Sequence, residues 1–320
     1  MNPSIEGYLD ALLEGASDDE VQTMAEQTAA VADLVAGNGQ LRSALADTAV
    51  TPRARRAVTD ELLRQRVSDL TRRAVGYAVF AAPGPEVVET LSSVALEVSR
   101  AAAGHRGEPS LLGRAASRRR IGGYATALDE VLSAGDLEET EDALFRFART
   151  VEATAPLRNA LTNPDLPTSV RRQVVGDLVA EKVTPTTLRL IDYVVSAGRP
   201  RDIVGTLDWL VDQTAAARGW RVARIRAARD IDEAQQDRLS ESLGAMAGAP
   251  VDLEVTIDPE LIGGAVVQIG DLQVDASARG RLERLREHLQ PGGWQETKVG
   301  APHRGARAEP DGSGPEGARG

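Results

Sequence analysis

Val251-Asp252-Leu253-Glu254-Val255-Thr256-Ile257 alternates apolar and polar residues over seven positions. Side chains on a strand point alternately to opposite faces, so this pattern predicts a strand with one buried face. Asp258-Pro259 ends it, because proline donates no N–H and restricts the residue before it. Gly263-Gly264 opens a second apolar run, Ala265-Val266-Val267-Gln268-Ile269, and Gly270-Asp271 turns the chain into a short third strand, Leu272-Gln273-Val274. Asp275-Ala276-Ser277 leads into a helix with Leu282, Leu285 and Leu289 on one stripe and arginines on its other faces. Upstream, Arg221-Val-Ala-Arg-Ile-Arg-Ala alternates as well and reads as a further strand of the same sheet. Asp232 and Gln235 form a capping box for the helix between them, which should bury Leu239, Leu243 and Met246 and end at Gly248 and Pro250.

A repeat organises everything before that unit. Leu41-Arg-Ser-Ala-Leu45 is echoed by Leu157-Arg-Asn-Ala-Leu161, an offset of 116 residues, and 8 of the 23 positions from Leu41 to Leu63 are identical to Leu157 to Val179. The same offset pairs Gly7-Tyr8 with Gly123-Tyr124, Arg55-Arg56 with Arg171-Arg172, Tyr77 with Tyr193 and Thr90-Leu91 with Thr206-Leu207. Chance similarity between two Ala/Leu/Arg-rich segments would scatter such matches rather than hold one offset. In the second copy, helices are predicted near residues 118–134, with Ile121, Tyr124, Leu128 and Val131 on one stripe, and near 136–154, with Leu144, Phe147 and Val151. A short turn of helix at Leu157–Leu161 and helices near 168–180, 185–197 and 201–218 complete six, broken by Asn163-Pro164 and Gly198-Arg199-Pro200. The chain is therefore expected to be mainly α: two tandem six-helix bundles (1–110 and 111–218), a small α/β C-terminal domain (219–290) and a disordered tail. The tail, 291–320, has eight glycines and four prolines and nothing with which to build a core.

Composition narrows the chemistry. The chain has no cysteine, so disulfides and thiolate metal sites are excluded. His105, His288 and His303 lie far apart and suggest no metal cluster. A net charge of −11 argues against a nucleic-acid protein, even beside the basic run Arg118-Arg119-Arg120, which reads as a solvated linker running into a helix start. The N-terminus carries no basic region followed by an apolar core, and no stretch approaches the roughly 18 apolar residues of a membrane span. No phosphate loop, His-Glu-x-x-His or cysteine nucleophile is present. Asp18-Asp19 and Glu138-Glu139 are expected at helix starts, where the dipole favours acids. Gly263-Gly264 reads as a tight turn rather than an anion site, since no helix start follows. No catalytic, cofactor or metal site emerges, and the chain is expected to work by binding.

The order Asp258-Pro259-x-Leu261-Ile262-Gly263-Gly264, then Ile269-Gly270-Asp271, then Asp275-x-Ser277-x-x-x-Arg281-Leu282 resembles the C-terminal signature of the ATP synthase delta subunit family. That family includes the mitochondrial oligomycin-sensitivity-conferring protein. Ala276 departs from it, where glycine is usual. The second copy is similar to the family's N-terminal domain in Tyr124-Ala-x-Ala-Leu128, Asn163-Pro164 and Gly198-Arg199. The first copy keeps Tyr8 and Leu12 but has Asp47-Thr48 and Ala82-Pro83 at the last two places, so it reads as the addition, a duplication that resembles actinobacterial members.

The resemblance implies a non-catalytic stator subunit of the proton-translocating F-type ATP synthase, held peripherally at the cytoplasmic face of the cell membrane through partner subunits only. It implies that the N-terminal helix of an alpha subunit lies in a furrow between the first and fifth helices. In the second copy these carry Tyr124, Leu128, Val131, Leu188, Ile191 and Val195, for which plain core packing is the competing reading. It also implies a C-terminal domain bound to a b-type stalk subunit. There the glycines read as turn formers, and Asp275, Ser277 and Arg281 as structural or stalk-facing. The first copy is expected to add a grip on the stalk. A generic helical adaptor would account for the bundles but not for the ordered C-terminal string.

Overall fold

The computed structural model describes residues 1–105, 112–261, 263–269 and 272–275. Six helices come first: α1 (Pro3–Gly15), α2 (Asp18–Gly37), α3 (Gly39–Ala46), α4 (Pro52–Leu63), α5 (Asp69–Ala81) and α6 (Val87–Ala102). Six more follow: α7 (Arg114–Asp129), α8 (Ala134–Ala153), α9 (Ala155–Thr162), α10 (Thr168–Val179), α11 (Pro185–Ala197) and α12 (Ile203–Ala217). Each of α8 to α12 begins 116 residues after its counterpart among α2 to α6. The starts repeat because the start signals do. Ser17 with Glu20 and Ser133 with Asp136 form capping boxes, and Ser68 and Thr184 accept from the backbone N–H three residues on.

Beyond the helices, β1 (Arg221–Ala227), α13 (Glu233–Ala247), β2 (Val251–Ile257), β3 (Ala265–Ile269) and β4 (Leu272–Asp275) form a four-stranded sheet in the order β2-β1-β3-β4. β1 and β2 are parallel, joined through α13, whose Asp232–Gln235 capping box and left-handed Gly248 set its ends. Leu243 is buried against the sheet, but Met246 is 64% exposed among the described residues, contrary to expectation, so the buried stripe is narrower than its spacing suggests. The expected helix after Asp275 and the tail lie outside the described residues.

The two six-helix units are not strung side by side. One hydrophobic core runs through both, from Ile5 to Val222. At its centre α1 crosses α7 at very close range. A Cβ built on Gly7 would lie 1.8 Å from the Arg120 carbonyl oxygen, and one on Gly123 would lie 1.8 Å from the Ser4 carbonyl oxygen. Gly7 and Gly123 are equivalent in the repeat, as are Ser4 and Arg120, so the contact is isologous, as at a two-fold dimer interface, but within one chain. Only a residue without Cβ allows backbones this near.

One equivalent pair breaks the symmetry. Leu13 is buried, whereas its counterpart is Asp129, whose Oδ1 is buried without a hydrogen-bond partner. Burial, with the Glu130 charge adding, pushes the Asp129 carboxyl up to about 7. The folded state thus holds this proton more tightly than the unfolded chain, where an aspartate titrates near pH 4. Its contribution to stability is present at acid pH and is lost as pH rises from about 4 through about 7.

Three outcomes are expected in urea denaturation. Gly7→Ala should destabilise by about 1–3 kcal/mol or more by overpacking the crossing. Gly37→Ala, at a position with nothing within 4 Å, should be neutral or slightly stabilising. Asp129→Leu should raise stability at pH 8 by about 1–3 kcal/mol, the cost range of an unsatisfied buried polar group, and flatten the fall in stability between pH 4 and 7. An unchanged pH profile would contradict the assignment to Asp129.

Candidate partner-binding surfaces

The six furrow residues do not form an open groove. Tyr124, Leu128, Ile191 and Val195 are buried, and Leu188 is half-buried. Val131 is 62% exposed, because α7 stops at Asp129 and the Val131 N–H bonds back to Leu128 in a turn. α1 covers the tyrosine edge of this face, against Tyr124 of α7 and Arg189 and Tyr193 of α11, whereas Ile191 and Val195 lie roughly on the opposite side of α11 and are buried in the core. Tyr124 stacks on Tyr193 with ring centroids 3.8 Å apart, and both hydroxyls donate into α1: Tyr124 to Glu14, Tyr193 to Asp10. Arg120 donates to Asp10 at 3.0 Å, and Arg189 donates to the Ala11 carbonyl at 3.0 Å. Burial first, and the neighbouring carboxylates after it, hold both tyrosines protonated far above their ordinary range.

The mirror arrangement holds α7 against α1 and α5. Tyr8 stacks on Tyr77 at 4.0 Å and donates to Glu130, and Arg73 donates to the Ala127 carbonyl. Glu14 and Glu130, Arg73 and Arg189, and Ala11 and Ala127 are all equivalent in the repeat, so each copy's tyrosine is received by the other copy's glutamate. The flanks differ, however. On the first copy's side Arg56 at 2.6 Å and Arg73 at 3.4 Å converge on Glu130, beside a cleft of about 430 Å3. On the second copy's side Arg172 turns instead to Asp192 of its own copy, where the first copy has Gly76. The cleft there is about 970 Å3, lined among others by Leu13, Glu14, Pro164, Arg171 and Arg189.

The basic run lies within α7 rather than in a linker; Arg119 is exposed, and the other two arginines are paired. Arg118 pairs with Asp202, and Arg120 with Asp10 and Glu6. Glu138 and Glu139 are not at a helix start, since α8 begins four residues earlier at Ala134; the dipole account applies to Asp136 and to Asp18-Asp19.

The sheet's polar face turns toward the second bundle rather than toward water. Buried Arg218, at the end of α12, pairs with Glu141 of α8 at 2.7 Å and Asp252 of β2 at 3.5 Å, and stacks on Trp220. Arg224 of β1 pairs with Asp212 of α12 at 2.9 Å and Glu254 at 3.2 Å. Burial outweighs these arginines and pushes Glu141 up to about 7 and Glu254 up to about 8. Alternation in β2 therefore marks two packed faces, one against α13 and one against the bundle.

The C-terminal string is a set of turns where it is described. Asp258 accepts from the Glu260 N–H and from Arg226, and the Leu261 N–H closes on the Asp258 carbonyl past Pro259. Gly264 has φ of +80° and its carbonyl receives the Ala228 N–H at 3.1 Å, while Gly263 precedes it in the same bend. Asp275 ends β4 opposite Val266. Ile262, Gly270, Asp271, Ser277, Arg281 and Leu282 lie outside the described residues. Among the described residues no group of three or more His, Cys, Asp or Glu is placed to hold a metal ion, and no helix is long and apolar enough to cross a membrane.

The glycine crossing and the exchanged tyrosine–glutamate bonds were not foreseen from sequence. Their signal was the Gly-Tyr pair present at both ends of the offset, Gly7-Tyr8 and Gly123-Tyr124.

Comparison with known proteins gives a consistent result. The family model for the ATP synthase delta (OSCP) subunit matches residues 121–289, which takes in the second copy and the sheet unit. The ATP synthase subunit delta of Nocardia farcinica is 34% identical over 275 residues, covering 85% of this chain and 91% of that one. That of Salinispora arenicola is 32% identical over 281 residues, covering 88% and 93%. Among solved structures, a chain of the Toxoplasma gondii mitochondrial ATP synthase hexamer aligns with a TM-score of 0.35 and 21% identity, over 53% of this chain and 96% of that one. On the family match and the near full-length identity with these relatives, the chain belongs to the ATP synthase delta (OSCP) subunit family.

Proposed function

We propose that this chain is a stator subunit of the ATP synthase, not catalytic by itself, that ties the catalytic head to the membrane sector. A rotating shaft exerts an equal and opposite torque on the ring that surrounds it, and without a tie the ring turns with the shaft. The N-terminal helix of the alpha subunit binds at the α7/α11 face, around Tyr124, Leu128, Val131, Leu188, Ile191 and Val195. A b-type stalk subunit binds the C-terminal sheet unit, and the first copy adds to that grip. The complex thereby holds the chain at the cytoplasmic face of the membrane.

Family membership is the observation that carries this reading. The Arg218 and Arg224 junction supports it, because a tie must transmit torque from the bundle to the sheet. Breaking a buried ion pair by removing one partner costs about 3–5 kcal/mol, so the junction is its weakest point to mutation. In the assembled enzyme reconstituted into vesicles, Arg218→Ala should leave ATP hydrolysis intact while reducing ATP-driven proton pumping several-fold. Equal loss of both activities, or failure of the chain to co-purify with alpha and b-type subunits, would overturn the stator role and favour an adaptor outside this enzyme.

A further inference from the structure

The face proposed above for a partner helix already has an occupant. α1 lies along the α7/α11 seam, places Gly7 against the Arg120 carbonyl, and offers Asp10 to Arg120 and Tyr193 and Glu14 to Tyr124 and Arg189. This contact has a definite chemical form: a small residue, then carboxylates three and seven positions later, on one stripe of a helix beside apolar Leu9 and Leu13. We infer that the α7/α11 face recognises helices of this pattern, and that α1 is its resident ligand, so that a partner helix competes with the first copy for the seat. This rests on the reading that an alpha-subunit helix docks there.

Three observations favour competition over binding elsewhere on this face. First, α1 crosses α7 at Gly7 and Gly123 and receives the hydroxyls of Tyr124 and Tyr193, which leaves no room for a second helix on that edge while α1 is present. Second, the seam is held at its rim by hydrogen-bonded acids and bases that a partner helix with the same carboxylate spacing reproduces, so exchange does not strand Arg120 or Arg189 unpaired. Third, the cleft of about 970 Å3 lies alongside α1 on the second copy's flank, whereas on the opposite flank Arg56 and Arg73 converge on Glu130 beside a smaller cleft of about 430 Å3. Beside the larger cleft, buried Arg171 donates to Thr168 alone, with Nε and Nη1 unbonded, while its counterpart Arg55 donates to the Leu45 and Ala82 carbonyls and leaves only Nε unbonded. The second flank is thus the less tightly closed side. The duplicated unit then acts as an internal gate on head binding.

The test is calorimetric titration of the full chain with a synthetic peptide of the alpha-subunit N-terminus. Wild type should bind weakly. Gly7→Leu, which pushes α1 off α7 without altering the second copy, should tighten binding at least tenfold. Glu14→Gln, a milder change on α1 that removes the charge facing Tyr124 and Arg189, should tighten it several-fold and decides the matter if Gly7→Leu fails to fold. Because the chain has no cysteine, spin labels at Leu62→Cys and Val170→Cys, both on exposed positions, report one copy against the other. Their separation should change on peptide binding. Equal affinity in wild type and both variants, or peptide binding with an unchanged label distance, overturns the gate and leaves the stator reading standing. Absence of binding in wild type and in folded variants alike removes the alpha-helix seat itself, and the gate with it.

Discussion

The structure depends on one close approach, the crossing of α1 and α7 at Gly7 and Gly123. Two helices whose backbones come this near bury the full width of their contact, so both become central helices with polar residues only at their rims. The other features of the seam follow from that geometry. The stacked tyrosines of one copy reach across to the glutamate of the other, and Arg73 and Arg189 cap the carbonyls of Ala127 and Ala11. Hydrogen bonds to charged groups are stronger than neutral ones, and here they form at the edge of an apolar contact where water competes less. The chain carries its own pseudo-two-fold dimer.

This arrangement changes what a duplicated bundle is for. A second copy attached by a flexible linker would be an independent arm. An added copy locked through its first helix is instead part of one twelve-helix body. The same body is braced to the sheet through Arg218 and Arg224, each set among several carboxylates. Burial raises the proton affinity of Glu141 and Glu254 as it does that of Asp129, so the folding stability these acids contribute is present at acid pH and is lost as pH rises through about 7 to 8.

Much of the fold was legible before any coordinates. Capping residues recur at the repeat offset at two helix starts, Ser17 with Ser133 and Ser68 with Thr184; alternation located β1 and β2; proline and glycine marked the turns. What sequence could not give is where a buried face is buried. Tyr124, Ile191 and Val195 look the same on an amphipathic stripe whether the stripe meets a partner protein, the other half of the chain or the bundle's own core. Glu254 looks solvent-facing until Arg224 is placed opposite it. Val131 continues a helical period past the point where the helix ends, and Met246 extends a stripe that the sheet is too short to cover. The burial of the tyrosines and of Glu254 depends on contacts between residues remote in sequence, which local periodicity does not encode.

The central claim, that the two copies form one interlocked unit, is tested most directly by equilibrium urea unfolding with two probes. In a Trp220→Phe, Trp294→Phe variant, fluorescence reports Trp209 of the second copy, which packs on Gly122 of α7, while far-ultraviolet circular dichroism reports the helices of both. Interlocked copies unfold together, so the two transitions should coincide with one midpoint. A circular dichroism transition with a separate phase that Trp209 does not follow would show that the first copy unfolds independently, and would contradict the account.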